Sequence, residues 1–188
     1  MLKILVGALA ACLICAAPSK AQAAELGSQK ILIVYFSKTN NTRTVAQLIH
    51  SQVGGDLLEL KTVQPYPDDH NANVEVAVRE NRSDARPELD TVFPENMADY
   101  DLIFVGYPVW EYTMPMAFFT FFEQYKFPGK TIIPFSTHLG SGLAGGPKDI
   151  ARLCPQATVG KGLAIRGPKA SGAENEVKRW LRELGLAE

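Results

Sequence analysis

The chain is expected to fold as an α/β domain, a parallel sheet of five strands with helices on both faces. Three observations predict it. Residues 31–36, 102–107 and 131–135 are near-continuous apolar runs rich in β-branched and aromatic side chains, as strands buried on both faces require. Segments with apolar residues at helical spacing lie between them. Strands and helices alternate with no repeat or low-complexity segment between them, the pattern of a parallel sheet with helical crossovers.

Residues 1–23 stand apart from that domain. Lys3, an apolar run over residues 4–17 and the small-x-small site Ala21-Gln22-Ala23 make a secretory signal peptide, too short and wrongly flanked for a spanning helix. The mature chain is expected to start near Ala24, leaving one domain over residues 24–188 with ample length for a core. Leu9-Ala10-Ala11-Cys12 resembles a lipoprotein processing box, but the apolar stretch before Cys12 is very short for that use. With no Arg-Arg pair the general export route is expected, to the periplasm or beyond the cell. Loss of Lys3 and Lys20 leaves 17 of the 19 basic residues against 20 acidic ones, a net charge of −3. A mildly acidic surface argues against nucleic acid and anionic membranes as partners, and no membrane insertion is expected after cleavage. Cys12 and Cys15 leave with the signal, so Cys154 has no intrachain disulfide partner and is expected to be a buried structural thiol.

Within the domain the first strand, residues 31–36, runs into Ser37-Lys38-Thr39-Asn40-Asn41-Thr42 and then into a helix with Val45, Leu48 and Ile49 on one face, stopped by Gly54-Gly55. Residues 56–63 alternate well enough for a second strand, and two prolines over residues 64–68 make a turn. A helix over residues 69–82 follows, opened by Asp68 or Asp69, with Val74, Ala77 and Val78 as a narrow apolar stripe. Residues 83–99 read as irregular, and residues 102–107 as the third strand. After a loop at 108–115, Met114, Ala117, Phe118, Phe121, Phe122 and Tyr125 give a helix one wide apolar face. Phe119 falls off that face and is a candidate dimer contact. The fourth strand covers residues 131–135, a glycine-rich loop 136–147, a short helix 148–153, a weaker fifth strand 157–165 and a terminal helix 173–184, with Trp180 packing it down.

Ligands of open parallel sheets bind beyond the carboxyl ends of the strands. Three loops lie there, with different chemistry. Residues 37–42 join a buried strand to a helix N-terminus, where free N–H groups and the macrodipole favour an anion and Ser37, Thr39 and Thr42 add hydroxyls. Such a loop suits a phosphate held by neutral donors; it equally suits a capped helix that binds nothing. Pro108, Val109 and Trp110, with Glu111 and Tyr112, offer a flat aromatic surface, and Thr137, His138, Leu139, Gly140, Ser141 and Gly142 offer bare backbone. A phosphate, a flat body and a backbone-lined edge together describe flavin mononucleotide (FMN).

On these residues the chain resembles the flavodoxins, and among them the flavodoxin-like group found in bacterial genomes beside quinone-reductase-type proteins. The family's Ser/Thr-x-Thr-Gly-Asn-Thr loop corresponds to Ser37-Lys38-Thr39-Asn40-Asn41-Thr42, with Asn40 for the glycine; Asn best tolerates positive φ among the other residues. Gly106-Tyr107-Pro108-Val109-Trp110 matches the family's Gly-x-Pro-x-Trp, and residues 129–142 its next strand and loop. A second tryptophan and a glycine common in the group are replaced by Glu111-Tyr112. The resemblance implies a flavodoxin-like three-layer α/β/α sandwich with strand order 2-1-3-4-5 and non-covalently bound FMN. It implies that Ser37, Thr39, Asn40, Asn41, Thr42 and the backbone of Lys38 hold the phosphate. Pro108, Val109 and Trp110 would lie along the ring, and Thr137, His138, Gly140, Ser141 and Gly142 at its other edge.

Three functions stay open on the sequence: an electron carrier docking on a redox partner protein, an FMN-dependent NAD(P)H:quinone-type reductase acting on a small acceptor, and an exported protein that has lost flavin and only binds a partner. A monomer or weak homodimer is expected. A hydrolase is disfavoured, because His138 and Ser141 lack an orienting acid and a nucleophile elbow. A metal is disfavoured by scattered histidines and a single mature cysteine.

Overall fold

The computed structural model describes residues 29–187. The expected signal peptide, its cleavage site and Cys12 lie outside the described residues. Within them the chain alternates β1 (Ile31–Tyr35), α1 (Asn41–Val53), β2 (Asp56–Glu59), α2 (His70–Arg82), β3 (Leu102–Pro108), α3 (Ala117–Gln124), β4 (Thr131–His138), α4 (Gly146–Leu153), β5 (Thr158–Val159), β6 (Leu163–Arg166) and α5 (Glu174–Glu183). All strand pairings of the sheet are parallel, in the order β2-β1-β3-β4-β5, with β6 also on β4.

The pleat sorts the strand residues into two cores. Leu32, Val34, Ile103 and Val105 face the side covered by α3 and α4, packing on Phe118, Phe121, Phe122 and Ile150. Ile31, Ile33, Leu102 and Phe104 face the other side, against Val45 and Ile49 of α1 and Val177, Trp180 and Leu181 of α5. The result is the three-layer sandwich expected from the apolar runs. Trp180 pins α5 down, its Nε1–H donating to the carbonyl of Lys161 at 3.0 Å. Cys154 is fully buried, and burial pushes its thiol up to about 11.

Four local expectations are corrected. The fifth strand is two pieces, β5 and β6, because the ladder on β4 breaks at Ile133-Pro134, opposite Gly160-Lys161-Gly162. Pro134 has no N–H to donate, one extra residue bulges, and a Cβ at Gly162 would stand 2.7 Å from the Pro134 carbonyl. The fourth strand runs on through Ser136, Thr137 and His138 rather than ending at Phe135. The two hydroxyl residues are buried there, and Ser136 donates to the carbonyl of Gly142 at 2.9 Å. On α2 the buried pair is Asn73 and Ala77, whereas Val74 is exposed, so the inward stripe is rotated from the one expected. Phe119 is buried at 4% exposure, its ring covered by the guanidinium groups of Arg86 and Arg152 at 5.5 and 5.8 Å, so it is no free dimer contact.

Candidate functional site

The carboxyl ends of β1, β3 and β4 open into one cleft of about 860 Å³, inside the usual range for small-molecule sites. The loop after β1 forms one end. Asn40 stands at the N-cap of α1 with φ 62°, the left-handed conformation that lets the chain turn into the helix. Its carbonyl accepts from the N–H and the hydroxyl of Thr44, both at 2.9 Å. Ser37 Oγ accepts from Arg43 N–H at 3.2 Å, and Asn41 Nδ2 donates to Thr39 Oγ1 at 3.3 Å. Both cations of this region are already paired. Lys38 Nζ donates to the Tyr66 carbonyl at 2.8 Å and to Asp68 at 2.7 Å, and Arg43 pairs with Asn40 and Glu59. The Lys38 ammonium, through its hydrogen bond and then its charge, holds the Asp68 carboxyl below its ordinary range. An anion at the α1 N-terminus would therefore meet backbone N–H groups and hydroxyls, not a free ammonium.

The loop after β3 is a tight hairpin. Trp110 and Thr113 exchange backbone hydrogen bonds, each 2.9 Å, across Glu111 (φ 46°) and Tyr112 (φ 60°). Two consecutive left-handed residues are the signature of a type I′ turn. Thr113 anchors it by donating to Asp149 at 2.6 Å, and Gly145 N–H donates to the Tyr112 carbonyl at 2.8 Å. The Trp110 ring packs edge-on against Tyr66 (4.9 Å) and Phe36 (5.3 Å), while the Tyr112 side chain stands 83% exposed at the mouth of the cleft. Beyond β4, Arg166 donates to the carbonyl of Leu139 at 3.1 Å and Gly142 takes φ 63°.

Of the residues singled out in the sequence, Lys38, Thr39, Asn41, Pro108, Val109, Trp110, Thr137, His138, Gly140 and Ser141 line this one cleft. Ser37, Asn40, Thr42 and Gly142 belong to its loops without lining it. Thr42 is buried, and its hydroxyl lies 2.8 Å from that of Thr137.

The sequence leaves open whether residues 64–99 cover a substrate or merely the sheet, and the structure makes part of that segment a fourth wall. Asp68, His70, Asn73, Val74 and Ala77, from α2 and the turn before it, close the side of the cleft. Tyr66 ties α2 down by donating from its hydroxyl to Glu80 at 2.7 Å. Burial raises the pKa of both groups, and for Glu80 the hydrogen bond from Tyr66 opposes that rise. The available signal was a polar Asn at an inward helical position, set against two outward valines. Two buried polar atoms, Asn73 Oδ1 and His138 Nδ1, have no hydrogen-bond partner among the described residues, and both belong to cleft-lining side chains. Among the described residues no cluster of His, Cys, Asp and Glu is placed to hold a metal ion.

The sequence model of the flavodoxin family matches residues 30–184. The chain belongs to the flavodoxin family. Solved structures carry the same fold. A provisionally assigned flavoprotein of Bacteroides uniformis is 30% identical, with 82% of this chain and 98% of that one covered at a TM-score of 0.70. Its counterpart in Bacteroides eggerthii is 28% identical, with 84% and 99% covered and a TM-score of 0.70. A flavoprotein of Lactobacillus acidophilus in complex with FMN is 22% identical, with 77% and 98% covered and a TM-score of 0.64, a likeness of fold. No curated protein matches the chain significantly.

Proposed function

We propose that this flavodoxin-family chain binds FMN non-covalently in the cleft and transfers electrons through it. The observation that carries this reading is the meeting of three dissimilar loops in a single cleft of suitable size. One is a hydroxyl-rich helix N-terminus with its cations paired, one an aromatic hairpin and one a backbone-rich strand end. The residues fit the group: neutral donors suit a phosphate, and the unpartnered atoms of Asn73 and His138 suit a ligand with polar edges. The FMN complex of the Lactobacillus acidophilus relative is consistent with it. FMN, when bound, supplies the redox chemistry; the protein supplies position and electrostatics. In this reading Thr39, Asn41 and the N–H groups opening α1 hold the phosphate, with Ser37 bracing the loop through Arg43 N–H. Trp110, braced by Tyr66 and Phe36, sets one wall for the ring, and His138 and Ser141 border it on the other side.

Titration of the purified protein with FMN and with riboflavin, followed by visible absorbance, tests this. Binding of FMN at least tenfold tighter than riboflavin is expected, since bonds to a charged group contribute about 1.5–3 kcal/mol. Equal affinities, or none, would overturn it.

A second reading, an FMN-dependent quinone-type reductase, draws on the mouth of the cleft. Tyr112 (83% exposed) and Leu139 (77% exposed) stand there as unpartnered apolar groups that suit a small flat acceptor. Steady-state turnover of NADH or NADPH with a quinone separates it from a carrier. We also propose export: intact mass of the secreted protein should place its N-terminus at Ala24, and a retained Met1 would refute that.

A further inference from the structure

We infer that Asn73 is a flavin-positioning residue, contributed by α2, that holds the part of the flavin other than its phosphate. The inference rests on the FMN reading above. Asn73 occupies an inward position of α2 where an apolar side chain would pack, and is only 8% exposed. Its Oδ1 is shut off from water and from every donor among the described residues, although the side chain lines the cleft. Native proteins rarely leave a buried polar atom unpaired, because its desolvation is uncompensated. A leucine there would also suit the helix better. The polar group is thus a liability for the fold and an asset only if a ligand engages it.

Its place along α2 says which part of the ligand. The turn leading into α2 is tied to the phosphate loop through Asp68 and Lys38. One turn beyond Asn73, Ala77 lines the same small pocket as Trp110 and Glu111 of the aromatic hairpin. Asn73 lies between these two ends along the helix. A carboxamide carries one acceptor and two donors on nearly isosteric ends, and its terminal torsion is broadly two-fold. A half-turn about that torsion brings Oδ1, which now faces inward, to the cleft, where it can meet a polar edge that carries both donors and acceptors, as a flavin ring and its ribityl hydroxyls do.

The test titrates FMN and riboflavin into wild type, Asn73→Leu and Asn73→Ala, and records thermal unfolding of the flavin-free proteins. Both variants should lose about tenfold in affinity, by the same factor for FMN and riboflavin, the equivalent of one hydrogen bond. The flavin-free Asn73→Leu protein should unfold at a higher temperature than wild type, which a residue with a merely structural role would not allow. Unchanged affinity in either variant overturns the inference, and so does a loss confined to FMN or to the bulkier leucine. A wild-type protein that binds neither flavin overturns the FMN reading itself, and this inference with it.

Discussion

Thr42 and Thr137, 95 residues apart, share a buried hydrogen bond, their hydroxyl oxygens 2.8 Å apart. Thr42 lies in the first turn of α1 and Thr137 near the carboxyl end of β4, so the bond fixes the helix after the β1 loop to the strand that borders the far side of the cleft. Either residue alone leaves the other hydroxyl buried and unpaired.

Thr42→Val and Thr137→Val should therefore each cost about 1–3 kcal/mol of stability, and the double variant clearly less than the sum. Urea unfolding of the four proteins measures the coupling. Strictly additive losses would mean that the two hydroxyls act independently, each satisfied elsewhere.

Asn40 is the point where the loop after β1 departs from the glycine that the family resemblance leads one to expect, and its φ of 62° explains how the departure is tolerated. Its side-chain oxygen also accepts from Arg43, which glycine could not offer. Asn40→Gly should stay within about 0.5 kcal/mol of wild type, conformational relief offsetting the lost contact. Asn40→Ala should cost about 1–2 kcal/mol, because alanine keeps a Cβ in the left-handed region without the polar side chain that offsets it. Denaturant unfolding distinguishes them, and equal costs would show that the side-chain contact outweighs the backbone conformation.

The sandwich and its strand-end loops were legible in the sequence because buried parallel strands leave uninterrupted apolar runs, and β1, β3 and β4 each did. What was not legible came from tertiary compensation. Ser136 and Thr137 look like loop residues, yet strand β4 continues through them because Gly142 and Thr42 satisfy their hydroxyls. Phe119 looked exposed by helical spacing, but arginines from residues 86 and 152 fold over it. The α2 wall was hidden for the opposite reason: Val74 and Val78 drew the eye to one face, while Asn73, a polar residue, faces inward.

Glu80 makes stability depend on pH. Burial holds its carboxyl above the ordinary range, despite the hydrogen bond from Tyr66 and the charge of Arg79. The folded state then binds the proton more tightly than the unfolded one. Its contribution is largest below the unfolded value of about 4.3 and declines as pH rises from there through the raised folded value. Glu80→Gln keeps an acceptor for Tyr66 but cannot ionise, so its unfolding free energy should lack that decline. Urea unfolding at a series of pH values checks this, and parallel curves for the two proteins would show that Glu80 titrates normally.

The hairpin at Glu111-Tyr112 poses the sharpest trade-off between stability and function. Type I′ turns favour Asn-Gly, because both central residues have positive φ. Here a glutamate and a tyrosine sit at 46° and 60°, and the tyrosine gains no burial in return, at 83% exposed. A side chain in the left-handed region costs about 1–2 kcal/mol, and such strain persists chiefly where a site uses it. The double variant Glu111→Asn/Tyr112→Gly should thus raise unfolding stability by about 1–2 kcal/mol. If the Tyr112 ring serves the cleft, the same variant should weaken flavin binding or slow electron transfer to an acceptor. Glu111→Asn alone should gain part of the stability with binding unchanged, which separates relief of strain from loss of the ring. A double variant that is more stable and binds and transfers as well as wild type would leave Tyr112 without a role at the site. A double variant no more stable than wild type would mean that the anchors from Thr113 to Asp149 and from Gly145 to Tyr112, not the turn residues, decide the hairpin.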